Sequence, residues 1–547
     1  MSARQDGVVG ERGGSANRRG ELARLLAASL AVLIALIAAA PAPAHVLRVG
    51  RWRGVDGQYR SIQSAVSAAR PGDWILVGPG DYHEQPGRQW GVLITKPRIH
   101  LRGMDRNRVV VDGTKRSAPR TCDGRRRYQD LGPREAGKRM GRNGVEPYKV
   151  SGVSVENLTV CNFLSQAGTE QNGNEIWFNG GDGSGKIGMR SFRGRYLTAT
   201  STFFGGQDAP MALYGIFSSN ERGPGLIAHS YGSNMGDSAY YIGACGDCNV
   251  VLTDGHGYNS AQGMTFSDAG GRVTIEHTEF AWNKMGLIPN SLNNDDGPWN
   301  QDGACPQGTK GPRGTSSCSI IEHNFVHDNN NPNVPAIGIA ASAPLGTGIE
   351  LSGAQHDTIY ANRVWHQGAW GILVHFFPDQ RTDVPSYDHC QGGYPSAGGV
   401  CYFPAFGNEI ANNELYGNGF FGNPSNGDLA EATEYHDPGN CWHGNHRLPG
   451  MGEPSSDPPN IQQTQGTCGQ PGVGDQGVLL AQIACDSQFF GPCPSAAAGA
   501  YYPRTTKVSL WRLPRHEATM PHPCRGVPAD PWCPRRSARD RDRDRTG

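Results

Sequence analysis

A period runs through the middle of this chain and restricts its fold more than any other feature. The segment VVLTDGHGYNSAQGMTF, starting at Val250, aligns without a gap on VTIEHTEFAWNKMGLIP, starting at Val273, an offset of 23 residues. The outline returns in LIAHSYGSNMGDSAYYI at 226, IIEHNFVHDN at 320, TIYANRVWHQGAWGILV at 358 and EIANNELYGNGFFG at 409. Each copy reads as a short β-branched strand, a polar turn with Asn or His, a Gly and a second short apolar strand. A unit this small cannot bury an apolar face by itself, whereas stacked copies can, so the pattern predicts a solenoid. Stacking predicts two apolar columns, Ile275, Ile321, Ile359 and Ile410 in one and Met264, Leu287, Ile349 and Ile372 in the other. Composition agrees. With 77 glycines, 38 prolines and 37% hydrophobic residues, the chain suits many turns and excludes a helical bundle. Its formal charge of +0 gives no global field that would draw nucleic acid or a membrane surface.

One helix stands before the repeats. Ile62, Ala65, Val66 and Ala69 fall on a single stripe, and Pro71-Gly72 stops the helix just ahead of the apolar run Trp74, Ile75, Leu76, Val77. Such a helix must cover something. The opening YRSIQSAVSAARPGDWILVGPGDYHE, followed by GVLITKPRIHLRG and GVSVENLTVCNF, resembles the N-terminal cap and first rungs of the right-handed parallel β-helix, or pectate-lyase-like, superfamily. The whole arrangement is similar to secreted β-helix-repeat proteins of soil bacteria. The resemblance implies an all-β right-handed parallel β-helix solenoid with an N-terminal cap helix closing the bore and an irregular, disulfide-rich C-terminal region. It does not select an activity, because the superfamily holds lyases, hydrolases, epimerases, esterases and non-enzymatic adhesins.

Around that centre the chain divides as follows. Residues 1–44 read as a signal peptide: Arg12, Arg18, Arg19 and Arg24, an apolar run from Leu25 to Ala40, and the small-x-small site Ala42-Pro43-Ala44. Residues 45–422 form the β-helix, with loop insertions at about 114–146, 289–318, 329–346 and 378–407; 423–533 are rich in Pro, Gly and Cys; 534–547 are a charged, disordered tail. Export fits the even count of 14 cysteines, which are expected to pair in an oxidising compartment. Local pairs are Cys305 with Cys318, Cys390 with Cys401, and Cys524 with Cys533. Cys245-Gly-Asp-Cys248 has no second CxxC near it, so a disulfide is favoured there over zinc. A secreted, extracellular monomer without membrane association after signal cleavage is expected.

Candidate chemistry follows from the stacking. One turn column holds His229, Asp254, His277, His323, Ala361 and Asn412; the next holds Ser230, Gly255, Thr278, Asn324, Asn362 and Asn413. Two readings compete: a polar ladder bonding the turn backbone, which is favoured because this spacing arises in any solenoid, or a proton-transfer or metal cluster of Asp254, His277 and His323. Beside them, Glu276 and Glu322 point outward on neighbouring strands at roughly 5 Å, near the separation used by retaining glycosidases; solvated strand glutamates are the alternative. Asp254-Gly-His-Gly257 has the Gly-His-Gly outline of pectin-type hydrolases, but the paired aspartates that precede it in that family follow it here, as Asp295-Asp296.

The insertions supply binding groups. Asn294, Asp295, Asp296 and Asp302 offer oxygen ligands suited to calcium, though without EF-hand spacing, and Trp299 suits stacking on a sugar. The insertion at 378–407 brings Tyr387, His389, Tyr394, Tyr402 and Phe403. The 114–146 insertion carries ten Lys/Arg against four Asp/Glu, with Arg125, Arg126 and Arg127 in a row, a patch that attracts a polyanion. Export and the lack of interleaved aromatics point away from nucleic acid and towards a polysaccharide or cell-wall polymer. The sequence therefore predicts a secreted carbohydrate-active β-helix protein, a polysaccharide lyase or glycoside hydrolase acting on acidic polysaccharide. The alternative is a non-catalytic carbohydrate- or cell-surface-binding solenoid.

Overall fold

The computed structural model describes residues 44–181, 188–206, 208–245, 248–290, 319–379, 394–395, 400–433, 439–473, 477–487 and 492–534. They build a parallel β-helix. A 21-stranded sheet and an 11-stranded sheet wrap one bore, each strand pairing in parallel with its counterpart one coil on. Each coil has three faces. In one, Val273–Glu276 lies on the first face, Glu279–Ala281 on the second and Met285–Asn290 on the third; the next coil repeats them as Ser319–Glu322, Phe325–His327 and Thr347–Ser352.

The two expected apolar columns stand in the bore in register. Ile275, Ile321, Ile359 and Ile410 pair in turn, as do Met264, Leu287, Ile349 and Ile372, all with 0% exposure. The three-residue strands of the second face are the difference from the sequence reading, which counted two strands per repeat. A strand such as Phe325–His327 turns only Val326 inward. One apolar residue shows no alternation, so these strands read as turn.

The cap helix is Ile62–Ala68, with Ile62, Ala65 and Val66 buried against the bore. Ser61 caps its first turn, and the Glu84 carboxylate accepts from the Ile62 and Gln63 amides at 2.6 and 3.2 Å. A carboxylate at this end satisfies free amides and meets the positive pole of the helix. Trp74–Val77 follows as expected, and Val46–Val49 adds one more strand beyond it.

Parallel pairing continues past residue 422 through Gly427–Ala432, Cys441–His443, His446–Arg447 and Ser456–Asp457. The helix Gly477–Ser487 then packs Leu479 and Cys485 on Trp370 and Ala430 of the third face. From there the chain returns along the solenoid as an extended strap. Turn asparagines clasp its backbone: Ser509 N donates to Asn333 O, Asn259 Nδ2 donates to Ser509 O, and Asn234 bonds both polar groups of Trp511. Asn107 does the same for Glu517, and Asn157 accepts from Met520 N. The strap ends at the first coils, where Trp532 joins Leu76 and Met104 and its Nε1 donates to Val55 O at 3.1 Å.

Among the described residues, disulfides join Cys122–Cys161, Cys245–Cys248, Cys441–Cys468, Cys485–Cys493 and Cys524–Cys533. The CxxC is thus a disulfide. Cys305 and Cys318 lie outside the described residues, as does Cys390, the expected partner of the disulfide-bonded Cys401. No helix among the described residues is long and apolar enough to cross a membrane.

Candidate functional site

Where the first face turns into the second, one residue per coil takes the left-handed backbone conformation. His229, Asp254, His277, His323, Ala361 and Asn412 have φ between 49° and 57°, and Gly444 continues the column at 66°. Asp, Asn and His tolerate this region better than most residues, which accounts for their repeated choice. The next column in sequence turns inward and forms the ladder. Thr278 N donates to Asn324 Oδ1, Asn324 N to Asn362 Oδ1, Asn362 N to Asn413 Oδ1 and Asn413 N to Asn445 Oδ1, at 2.9 to 3.1 Å. Gln462 of the short helix Ile461–Thr464 closes the ladder on Asn445.

With the inner column bonding the turns, the outer one stands free on the surface. His277 and His323 are exposed and stack at 5.6 Å, while His229 stacks on Tyr196 at 4.7 Å and lies 3.7 Å from Asp254. Glu276 and Glu322 are register partners on adjacent coils, partly exposed, one strand spacing apart or about 4.8 Å. The returning strap closes one side of this surface. Between Glu517–Pro521 and the turn column lies a cleft of about 430 Å³ whose walls include Asp254, His256 and His277. The sequence-derived Asp254, His277 and His323 thus share one surface with both glutamates, and the strap supplies a wall that no repeat alignment indicates.

The second face adds a group that the sequence reading missed. His327 lies between two carboxylates, with Nδ1 2.8 Å from Asp328 Oδ2 and Nε2 3.2 Å from Glu279 Oε1. Burial alone would lower the His327 pKa, but the hydrogen bonds to Glu279 and Asp328 outweigh it and hold it above the usual histidine value. The His327 hydrogen bond depresses Glu279, overcoming burial, and Tyr258 assists by bonding to it. Tyr258 is pushed up by burial and by the Glu279 charge. Rings surround the group: Phe325 stacks on His327 at 4.0 Å, Trp282 meets it edge-on at 5.2 Å, and Trp511 of the strap lies 5.6 Å from Tyr258 and 5.4 Å from Trp282. Trp365 and Tyr416 extend the file across the next two coils. The signal was the strand triplets HGY, EFA, FVH, RVW and ELY, whose first and third residues face outward at matching positions.

The remaining candidates are spread more widely. Arg126 and Arg127 lie in the 3₁₀ turn Arg126–Tyr128, and the Arg125 and Arg127 guanidinium groups flank the Tyr128 ring at 4.7 and 4.8 Å. This loop leaves a coil five turns before Glu276, on the order of 24 Å along the axis. The basic insertion is partly internal: Arg142 is 1% exposed and bonds Asp130 at 2.9 Å, and Asn143–Pro147 is already a third-face strand. Tyr402 lies in the small antiparallel sheet of Cys401–Phe403 with Phe377–Asp379, beyond the third face, and Phe403 is fully buried rather than presented for stacking. Trp299, Tyr387, His389, Asn294, Asp295, Asp296 and Asp302 lie outside the described residues. Asp81, His83 and Asp112 come close enough to share a metal, yet both Asp112 oxygens already accept from the Thr114 and Cys122 amides.

No family model matches the chain, and no curated protein matches it by sequence. Solved structures do. The A-module of the mannuronan C-5 epimerase AlgE4 of Azotobacter vinelandii matches at 12% identity and TM-score 0.37, covering 71% of this chain and 90% of that one. The Dettilon tailspike protein matches at 13% and 0.38, covering 69% and 57%. An alginate lyase from Paenibacillus sp. matches at 10% and 0.31, covering 74% and 96%. Likeness at this level concerns the fold and carries nothing about activity.

Proposed function

We propose that this chain is a secreted carbohydrate-active β-helix protein that binds an acidic polysaccharide along the first-to-second-face surface and cleaves it there by acid–base catalysis. The observation that carries the reading is the file of rings from Tyr258 and Trp282 to Trp365 and Tyr416, running along the coil axis beside the carboxylates Glu276 and Glu322. Aromatic faces suit the C–H faces of sugars, and a file along the axis suits a polymer better than a small molecule. In this reading Glu276 and Glu322 are the acid and base, Asp254, His277 and His323 shape the charge around them, and Arg125, Arg126 and Arg127 draw the anionic chain to the surface. Trp299, Tyr387 and His389 are further sugar contacts from the insertions, Tyr402 is a separate one beyond the third face, and Asp295, Asp296 and Asp302 are the residues that would hold calcium, which would supply positive charge for an anionic polymer. Disulfides such as Cys122–Cys161 suit the oxidising extracellular compartment in which such a substrate is met.

A second reading, a non-catalytic binding solenoid, is favoured by the openness of the ring file and by the strap that fastens the coils end to end, features that suit adhesion and protease resistance. The deciding experiment is a screen of the secreted protein against uronans and neutral polysaccharides, with and without a calcium chelator. Ultraviolet absorbance of unsaturated product and reducing ends is read alongside retention on the polymer. Product from acidic polymers supports the enzyme. Retention without product supports the binder, and neither outcome with any polymer overturns both.

A further inference from the structure

A separate pocket lies on the third face, away from the surface described above. It has a volume of about 80 Å³, and Gln262, Ile288, Ile339, Glu350, His375 and Phe377 are in its wall. Glu350 is 3% exposed, and its Oε1 lies 2.7 Å from His375 Nε2. His375 Nδ1 lies 2.7 Å from the Phe376 carbonyl, which can only accept, so Nδ1 carries a proton and the ring orientation is fixed. The second oxygen of Glu350, Oε2, is buried without a hydrogen-bond partner. A carboxylate oxygen left without a hydrogen bond is expensive to bury, and a ligand donor would relieve it.

The surrounding charge selects the kind of donor. Lys284 and Arg504 act electrostatically on Asp486, and Glu350 acts on both Lys284 and Asp486, so cations already stand against these carboxylates. A further cation is not called for, and a neutral hydroxyl suffices. The Thr265 hydroxyl already bonds the Gln262 carbonyl oxygen, leaving that side chain to act as a donor. With about 80 Å³ open to water-sized groups, the pocket suits a small hydroxylated group.

We propose that this pocket binds a small polyol or the hydroxymethyl end of a sugar. One ligand hydroxyl donates to Glu350 Oε2, and the C–H groups pack on Ile288, Ile339 and Phe377. The test uses the full-length secreted protein, with glycerol and a methyl glycoside as separate probes, followed by saturation-transfer NMR and titration calorimetry. Glycerol alone binding marks a polyol pocket; the glycoside binding as well marks a sugar terminus. Glu350→Gln removes the charge from the bond to the ligand hydroxyl and should weaken binding about tenfold. Ile339→Ala, at a side chain 40% exposed, tests the apolar wall without endangering the fold and should weaken binding severalfold. Failure of both probes to bind at saturating concentration overturns the proposal, as does wild-type affinity in Ile339→Ala together with any folded Glu350→Gln. Finding only water against Glu350 in a probe-soaked crystal overturns it as well. Because the pocket lies on another face, polysaccharide turnover or its absence does not bear on it.

Discussion

Replacing Asn362 by Ala would test whether the ladder holds the coils in register. The side chain is fully buried and makes four bonds: Oδ1 accepts from Asn324 N and Asn324 Nδ2, and Nδ2 donates to Ile321 O and Asn413 Oδ1, at 2.9 to 3.0 Å. The substitution leaves the Asn324 amide and one Asn324 Nδ2 hydrogen buried without partners, while the Ile321 carbonyl loses its side-chain bond and keeps its place in the parallel ladder. At about 1–3 kcal/mol for each of the two unsatisfied donors, with part recovered as the turn relaxes or admits water, the loss should be roughly 2–4 kcal/mol. Solenoid stability is close to a sum over neighbouring coils, so the damage should be local. The assay is amide hydrogen exchange by mass spectrometry over 319–327 and 358–365, alongside urea unfolding followed by tryptophan fluorescence. His323→Ala is the control, because its column points outward and already holds Ala361; it should lose less than about 1 kcal/mol. If Asn362→Ala opens these coils no more than His323→Ala, the ladder does not hold the turns as argued.

Three further predictions follow from the same geometry. Ile321→Asp, at a position with 0% exposure in the bore, should leave the protein unable to fold, read as loss of the secreted product and of its circular dichroism; a soluble native variant contradicts the stacking. Glu276→Gln and Glu322→Gln should each lower polysaccharide turnover by about a hundredfold if they are acid and base, while binding to the polymer survives; full activity in both removes the catalytic assignment. NMR titration should find the His327 pKa above the usual 6.5, and Glu279→Gln should lower it. The raised His327 pKa contributes stability below 6.5 that is lost as pH rises through its folded value, and the depressed Glu279 contributes stability above 4.5 that is lost as pH falls through its own. Thermal melts should therefore lose the Glu279–His327 contribution at both ends of that window and keep it between.

The strap explains how a solenoid with open ends is finished. Its two termini meet different solutions: a helix over the first coil, and at the other end Gln462 closing the ladder. The described chain then returns to the first coils, so that Trp532 and Leu76 share one apolar cluster. Fastening first coils to last restrains local fraying, the ordinary weakness of a repeat fold whose units touch only their neighbours.

What the sequence determined by itself is whatever repeats. The two isoleucine-rich columns, the Asn ladder and the outward Glu276 and Glu322 all follow from a period near 23, because equivalent residues of stacked coils must fall above one another. The cap helix follows from its own stripe and its Pro-Gly stop. What only the tertiary structure decided comes from single-copy or long-range contacts. The strap is extended and carries no period; its partners Asn107, Asn157, Asn234, Asn259 and Asn333 are distant in sequence, so nothing local marks where it goes. The His327 group likewise needs Tyr258, Glu279 and Asp328 from three coils, placed by three-residue strands too short to show alternation. The unpaired oxygen of Glu350 depends on which neighbours crowd it. Periodicity encodes the scaffold because stacking repeats the same burial at each coil, whereas a site depends on unlike groups that the fold brings together once.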